Sequence, residues 1–246
     1  MSYPRFFVEL GHIDSSTITL EGESALHISK SLRMKAGERI VVCDKEKNEY
    51  ECVLEDFSSD TVMARIEDIR RNVSEPMYKV TVYQACPKSD KMDSIVQKAV
   101  ELGAYGIVAF MSDRCIARYD AKGFEKKCDR WQKIALEAAK QSGRGYVPFV
   151  RWLPSLESAV SEMRKNGVSF MCYEDEDTLT LKEFLKEHEE NDEMSFIIGP
   201  EGGFTAKEAD YCRDNGVLTV SLGKRILRTE TASGYVLSGL SYEKEL

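Results

Sequence analysis

From residue 80 onward, short apolar runs alternate with stretches of helical spacing, and this rhythm constrains the fold more than any single motif. V-T-V-Y-Q-A (80–85) precedes S-D-K-M-D-S-I-V-Q-K-A-V-E-L (89–102), where Met92, Ile95, Ala99 and Leu102 form one stripe. G-I-V-A-F-M (106–111) is followed by a long helix through residues 131–141. Helices are then expected at 155–166, 179–188 and 205–214, strands at 168–173, 195–198 and 218–222, and a closing helix from about Thr229. Such alternation predicts a mostly parallel sheet with helices on both faces. Ligands in these sheets bind outside the carboxyl ends of the strands. The ends to watch are C-Y-E-D (172–175), G-P-E-G-G (199–203) and L-G-K-R-I-L-R-T-E-T-A-S (222–233).

The first part of the chain reads differently. Five β-like runs, at 6–10, 17–21, 39–44, 50–57 and 61–69, lie between turn signals, and only residues 25–33 have helical spacing. Five short strands at this spacing predict a small barrel. The tract R-R-N-V-S-E-P (70–76) breaks the pattern and reads as a linker. At 246 residues the chain exceeds a modal domain of roughly 100–150 residues, so two domains are expected. No opening segment combines a basic start with an apolar run, and no run approaches the roughly 20 apolar residues of a membrane span. The expectation is a soluble, cytoplasmic protein with no membrane partner.

Seven scattered cysteines, without a C-x-x-C pair, read as reduced thiols. Only His12, His27 and His188 could join them as ligands, none at zinc spacing, so no metal is expected. The net charge of −8 lies in one place: Glu174 to Glu193 holds ten acidic residues against Lys182 and Lys186. Between Phe110 and Trp152, by contrast, ten Lys/Arg face five acids. That basic segment is either a solvated helix face or a surface for RNA phosphates.

The stretch I-I-G-P-E-G-G-F (197–204) carries a glycine turn between a strand and a helix N-terminus, the usual anion cradle. It fits neither phosphate-binding fingerprint, and Glu201 at its centre would repel a phosphate. A neutral or cationic ligand suits it better. An ordinary strand-to-helix connection, with Thr205 and Glu208 forming a capping box, accounts for the same residues.

I-G-P-E-G-G-F, followed some twenty residues later by L-G-K-R-I-L-R-T-E-T-A, resembles the RsmE family of ribosomal RNA uridine-N3 methyltransferases. The opening P-R-F-F-V, A-L-H-I-S-K-S-L-R-M-K-A-G-E, Q-K-A-V-E-L-G and E-A-A-K-Q-S-G-R-G-Y-V-P extend the resemblance over the whole chain. It implies an α/β protein: a PUA-like β-barrel RNA-binding domain (1–72), then a SPOUT methyltransferase domain (73–246) with a trefoil knot that periodicity alone could not reveal. It further implies a homodimer with the active site at the subunit interface, S-adenosyl-L-methionine as cofactor, and small-subunit ribosomal RNA, or the assembled small subunit, as substrate.

Carried onto this sequence, the cofactor pocket comprises Tyr173, Glu174, Gly199, Pro200, Glu201, Gly202, Gly203, Leu222, Gly223, Ile226, Leu227 and Arg228. The glycines would leave room for a ligand held by backbone groups. Uridine N3 must lose a proton before it attacks, and a fixed cation beside O2 and O4 would favour the anion. Arg228 is the candidate cation, with Glu201 or Glu230 as base. An Arg228–Glu230 ion pair, and a Glu230 that merely suits a helix N-terminus, are the structural alternatives. Arg5, Arg33, Arg118, Lys126 and Arg144 are the candidate RNA contacts. A SPOUT enzyme acting on another RNA or on a ribose hydroxyl, and a non-catalytic RNA-binding protein, are the competing functions.

Overall fold

The computed structural model describes residues 3–246 apart from Lys45 and Asn166. The chain forms two compact units. One runs to Glu75 and takes in Ala139–Val147; the other comprises Pro76–Ala138 and Pro148–Leu246. A single cut after residue 72 leaves out the return of 139–147 to the first unit.

The first unit contains β1 (Arg5–Phe7), β2 (Thr17–Glu21), β3 (Arg39–Cys43), β4 (Asn48–Phe57) and β5 (Thr61–Arg71), ordered β1-β3-β4-β5-β2. All five expected runs are strands. β1 pairs parallel with β3 and the other pairs are antiparallel. Two register shifts, at Glu51/Cys52 and Leu54/Asp56, interrupt the long β4–β5 ladder; such bulges bend a strand and increase its twist. Phe6, Ile18, Leu20, Ile28, Ile40 and Leu54 fill the core. The expected helix at 25–33 is α1 (Gly22–Leu26), continued by a π-helical turn, His27–Ser31. β5 runs through Arg71 into what was expected to be linker.

The second unit contains β6 (Lys79–Ala85), α2 (Lys91–Glu101), β7 (Gly106–Phe110), α3 (Ala121–Gln141, its last turn in the first unit), β8 (Phe149–Leu153), α4 (Leu156–Met163) and β9 (Val168–Cys172). It continues with α5 (Leu181–Glu187), β10 (Glu193–Ile198), α6 (Ala206–Asp214), β11 (Leu218–Val220) and α7 (Thr229–Glu245). The end of the helix expected at 155–166 lies outside the described residues. The six strands are all parallel, ordered β11-β9-β10-β6-β7-β8. β6, β7 and β10 are buried almost throughout, as strands covered on both faces must be. β8 was not anticipated. It is a short edge strand carrying Arg151, between Pro148 and Pro154, and only Val150 is buried. Its Trp152 stacks on Phe124 of α3 with ring centroids 4.6 Å apart, while Trp131 Nε1 donates to Asp93 of α2 at 3.1 Å.

The basic segment 110–152 divides once folded. Arg118 and Lys126 are exposed, as is Arg33 of the first unit, which sits at φ +53°. Arg144 is not available to RNA: it is 3% exposed and grips Glu75 through Nε (2.7 Å) and Nη2 (3.0 Å). The amides of Gly145 and Tyr146 donate to the same carboxylate. Arg5 is also turned inward, pairing with buried Glu49 and donating to Cys43 Sγ at 2.8 Å. Both expected RNA contacts are therefore internal fasteners of the first unit. Replacing Arg144 with alanine leaves a buried carboxylate without its cation, so Arg144→Ala should cost about 3–5 kcal/mol. Lys126→Ala should stay within about 0.5 kcal/mol. Urea unfolding of both variants measures the difference.

Candidate functional site

The strand order places β9 between β10 and β11, so the segments leaving their carboxyl ends are neighbours. Together they wall a cleft of about 550 Å³. Eleven of the twelve residues expected to hold a cofactor line it: Tyr173, Glu174, Gly199, Pro200, Glu201, Gly203, Leu222, Gly223, Ile226, Leu227 and Arg228. Gly202 does not. Its carbonyl accepts from Arg114 Nη1 at 2.7 Å, and a Cβ there would meet Arg114 Cβ at 3.2 Å.

Hydrogen bonds between segments hold the walls in place. The Tyr173 amide donates to Val220 O (3.1 Å), and Ser221 exchanges backbone bonds with Leu179 and Leu181. Glu176, set among the solvated acids of 174–193, accepts from the Thr178 and Leu179 amides and from the hydroxyls of Thr178 and Thr219. The hydroxyl bonds do most to hold its carboxyl down at about 2. The expected capping box is present, with Thr205 and Glu208 bonded reciprocally at 2.8 and 3.2 Å. Glu208 also accepts from the Asp113 amide at 3.0 Å, so this buried carboxylate serves α6 and the segment after β7 together.

Two of the glycines do something other than make room for a ligand. A Cβ on Gly199 would lie 3.2 Å from the backbone of Gly203, and one on Gly203 would lie 2.8 Å from Glu174 Oε1. Gly203 also sits at φ +65°, where a side chain is strained. These two let the turn close upon itself and upon the Tyr173 segment. Gly223, at φ +98° with nothing near its would-be Cβ, borders open space.

The charges converge on a residue that the sequence reading missed. Lys91, in the first turn of α2, places Nζ 3.1 Å from Glu201 and 3.0 Å from Glu230. The Lys88 amide adds two contacts of 3.3 Å to Glu201. The sequence did hold a signal, since S-D-K-M-D opens the helix directly after β6 and so lies on the ligand side of the sheet. Burial pushes both carboxyls up, but their own backbone amides and Lys91 outweigh it and hold both below the ordinary carboxylate range. Glu230 and then Glu201 hold the Lys91 ammonium above its ordinary value. Lys91 thus stands beside Glu230, where the alternative structural reading puts Arg228. Arg228 is exposed at the N-cap of α7, and its field adds a smaller push to keep Glu230 ionised. Carboxylates held low are well suited to be fixed charges and poorly suited to take protons. Among the described residues, no group of three or more His, Cys, Asp or Glu is arranged to hold a metal ion.

The carboxylates, held low, contribute stability above their unfolded value and lose it as pH falls through the folded one. Lys91, held high, contributes until pH rises through its folded value. The cluster therefore stabilises across the neutral range. Lys91→Met should cost about 1 kcal/mol at neutral pH, given its partial exposure. The deficit should shrink as pH falls below roughly 4, where carboxylates protonate. Unfolding curves of parent and variant from acid to neutral pH check this.

The family model for an RNA methyltransferase domain matches residues 74–241, and that for an RNA methyltransferase PUA domain matches residues 20–67. The chain is 33% identical to the ribosomal RNA small subunit methyltransferase E of Bacillus subtilis, covering 98% of this chain and 97% of that protein. With the Mycobacterium bovis protein of the same name, identity is 28% over 96% of this chain and 90% of the relative. The crystal structure of the Neisseria gonorrhoeae protein of that name, bound to S-adenosyl methionine, is 29% identical and superposes with a TM-score of 0.85, covering 98% of this chain and 97% of that one. The fold class is the expected one, a SPOUT-type α/β unit preceded by a PUA-like unit. With both units matched and the likeness running the length of the chain, this protein belongs to the ribosomal RNA small subunit methyltransferase E family.

Proposed function

We propose that this protein uses S-adenosyl-L-methionine to methylate N3 of a uridine in small-subunit ribosomal RNA. One observation carries the reading: eleven residues that the family resemblance assigns to a cofactor pocket, on three separate segments of the chain, meet in one cleft at the carboxyl ends of parallel strands. Its volume suits a ligand of this size. The cleft offers backbone from three loops, an open edge at Gly223 and the Glu201 carboxylate paired with Lys91, a setting that suits a ligand read largely by backbone groups. The Neisseria relative was crystallised with S-adenosyl methionine bound. When bound, the cofactor supplies a methyl group on a positively charged sulfur.

The chain's own part is to make the uridine anion available. Arg228, exposed on the cleft wall, is the group we assign to O2 or O4 of the base, where its help exists mainly in the transition state. Glu201 and Glu230 act as fixed charges, and the N3 proton leaves to solvent. Arg33, Arg118 and Lys126 are the exposed cations we assign to RNA phosphates. A homodimer with the site at its interface fits the apolar surface left open: Ile226 at the cleft is 77% exposed, and α7 presents Tyr235 and Tyr242 beside the buried Val236, Leu237 and Leu240. Among the described residues no helix is long and apolar enough to cross a membrane. We assign the protein to the cytoplasm on the strength of the proposed substrate.

Mass spectrometry of nucleosides from small-subunit RNA of cells with and without this protein tests the function. Loss of N3-methyluridine is expected without it, and an unchanged nucleoside profile refutes it. For the chemical step, Arg228→Ala should lower the single-turnover rate about 10²- to 10³-fold with cofactor affinity nearly intact. Arg228→Lys should recover part of the rate, since a point charge cannot reproduce a planar fork of donors. Raising the pH should narrow the gap, because more uridine then ionises unaided. Rates across the alkaline range decide it, and a gap that does not narrow removes Arg228 from this role.

A further inference from the structure

Lys91 Nζ of α2 lies 3.1 Å from Glu201 of the glycine turn and 3.0 Å from Glu230 of α7; Lys91 and Glu201 line the cleft, and Glu230 joins them from outside its lining. Two negative charges around one positive leave a local balance of −1. The side chains of Glu201, Lys91 and Glu230 are 20, 26 and 22% exposed, so water screens them only in part. Lys88, Glu174, Arg225 and Arg228 also border the cleft, but all four are exposed to solvent, where water screens them more fully. The shifts agree with the geometry: against the effect of burial, backbone amides and Lys91 keep both carboxyls ionised, and the two carboxylates keep the ammonium protonated.

Resting on the proposed function, we infer that this triad sets the preference of the cleft for the cofactor over its demethylated product. The two ligands share the adenosine and the amino-acid group and differ by one charge. S-adenosylmethionine carries a sulfonium, and S-adenosylhomocysteine carries a neutral thioether. A site with a local excess of one negative charge attracts the first more than the second. Spent cofactor is then held less tightly than fresh cofactor without any movement of the protein. Lys91 tempers this preference. Without it the excess would be −2, and the two carboxylates would repel each other across the gap between the 199–203 turn and α7.

The test is the ratio of the two dissociation constants, measured by calorimetry on the full chain with each ligand in turn. Glu230→Gln removes a negative charge and should lower the preference for S-adenosylmethionine roughly three- to tenfold. Lys91→Gln removes the positive charge and should raise the preference by a comparable factor. Opposite shifts from neighbouring residues are not what simple damage produces, because a distorted cleft weakens both ligands alike. In the unaltered protein, added salt should reduce affinity for S-adenosylmethionine more than for S-adenosylhomocysteine, and this arm decides the matter if the variants do not fold. Ratios that stay within about twofold of the parent, or a salt effect equal for both ligands, overturn the inference while leaving the proposed function intact. A parent that binds neither ligand overturns the cofactor assignment itself.

Discussion

A buried hydrogen-bonded chain at the middle of the parallel sheet holds the rest of the site together. Gln84, fully buried near the end of β6, donates from Nε2 to Thr229 Oγ1 at 2.9 Å, and Thr229 donates to the Gly199 carbonyl at 2.6 Å. β6 and β10 are adjacent where the strand order changes direction, the place where such sheets open a crevice. The chain thus fixes three things at one point: the crevice, the glycine turn and the start of α7. Burying an amide is costly unless it is bonded, and Gln84 Oε1 has no donor among the described residues. A buried glutamine with one unmet oxygen is tolerable because its other end registers elements more than a hundred residues apart.

Around that point the site is built from loops that hold one another. Glu176 secures the β9–α5 connection to β11, Glu208 joins α6 to the segment after β7, and Lys91 draws the glycine turn and α7 toward α2. Each fastening charge is satisfied by amides, hydroxyls or an opposite charge. The cleft therefore takes its shape from a preorganised frame, the condition under which fixed charges act most strongly on a bound species.

Much of this was legible in the sequence because periodicity and turn chemistry are local. The strand runs at 17–21 and 61–69, the stripe of α2 and the Thr205–Glu208 cap all follow from neighbours along the chain. What escaped were relations between distant residues. Arg144 reads as a free cation until Glu75, with the amides of Gly145 and Tyr146, is found against it, and Arg5 until Glu49 is found beside it. Gly199 reads as space for a ligand until Gly203 is found to occupy that space. β8 lacked enough burial to mark it, and Lys91 was one lysine among many until its two carboxylates arrived from 110 and 139 residues downstream.

The aromatic contacts of α3 carry a practical consequence. The protein has only two tryptophans, Trp131 and Trp152, and both report on this one helix. Trp131 sits on α3 with its indole bonded to Asp93, and Trp152 lies flat against Phe124. Intrinsic fluorescence therefore follows the seating of α3 on its neighbours and carries no tryptophan signal from the first unit's sheet or from the cleft lining. A change in emission during unfolding marks the release of this helix, and tracking the β1–β5 sheet by light calls for a tryptophan placed there.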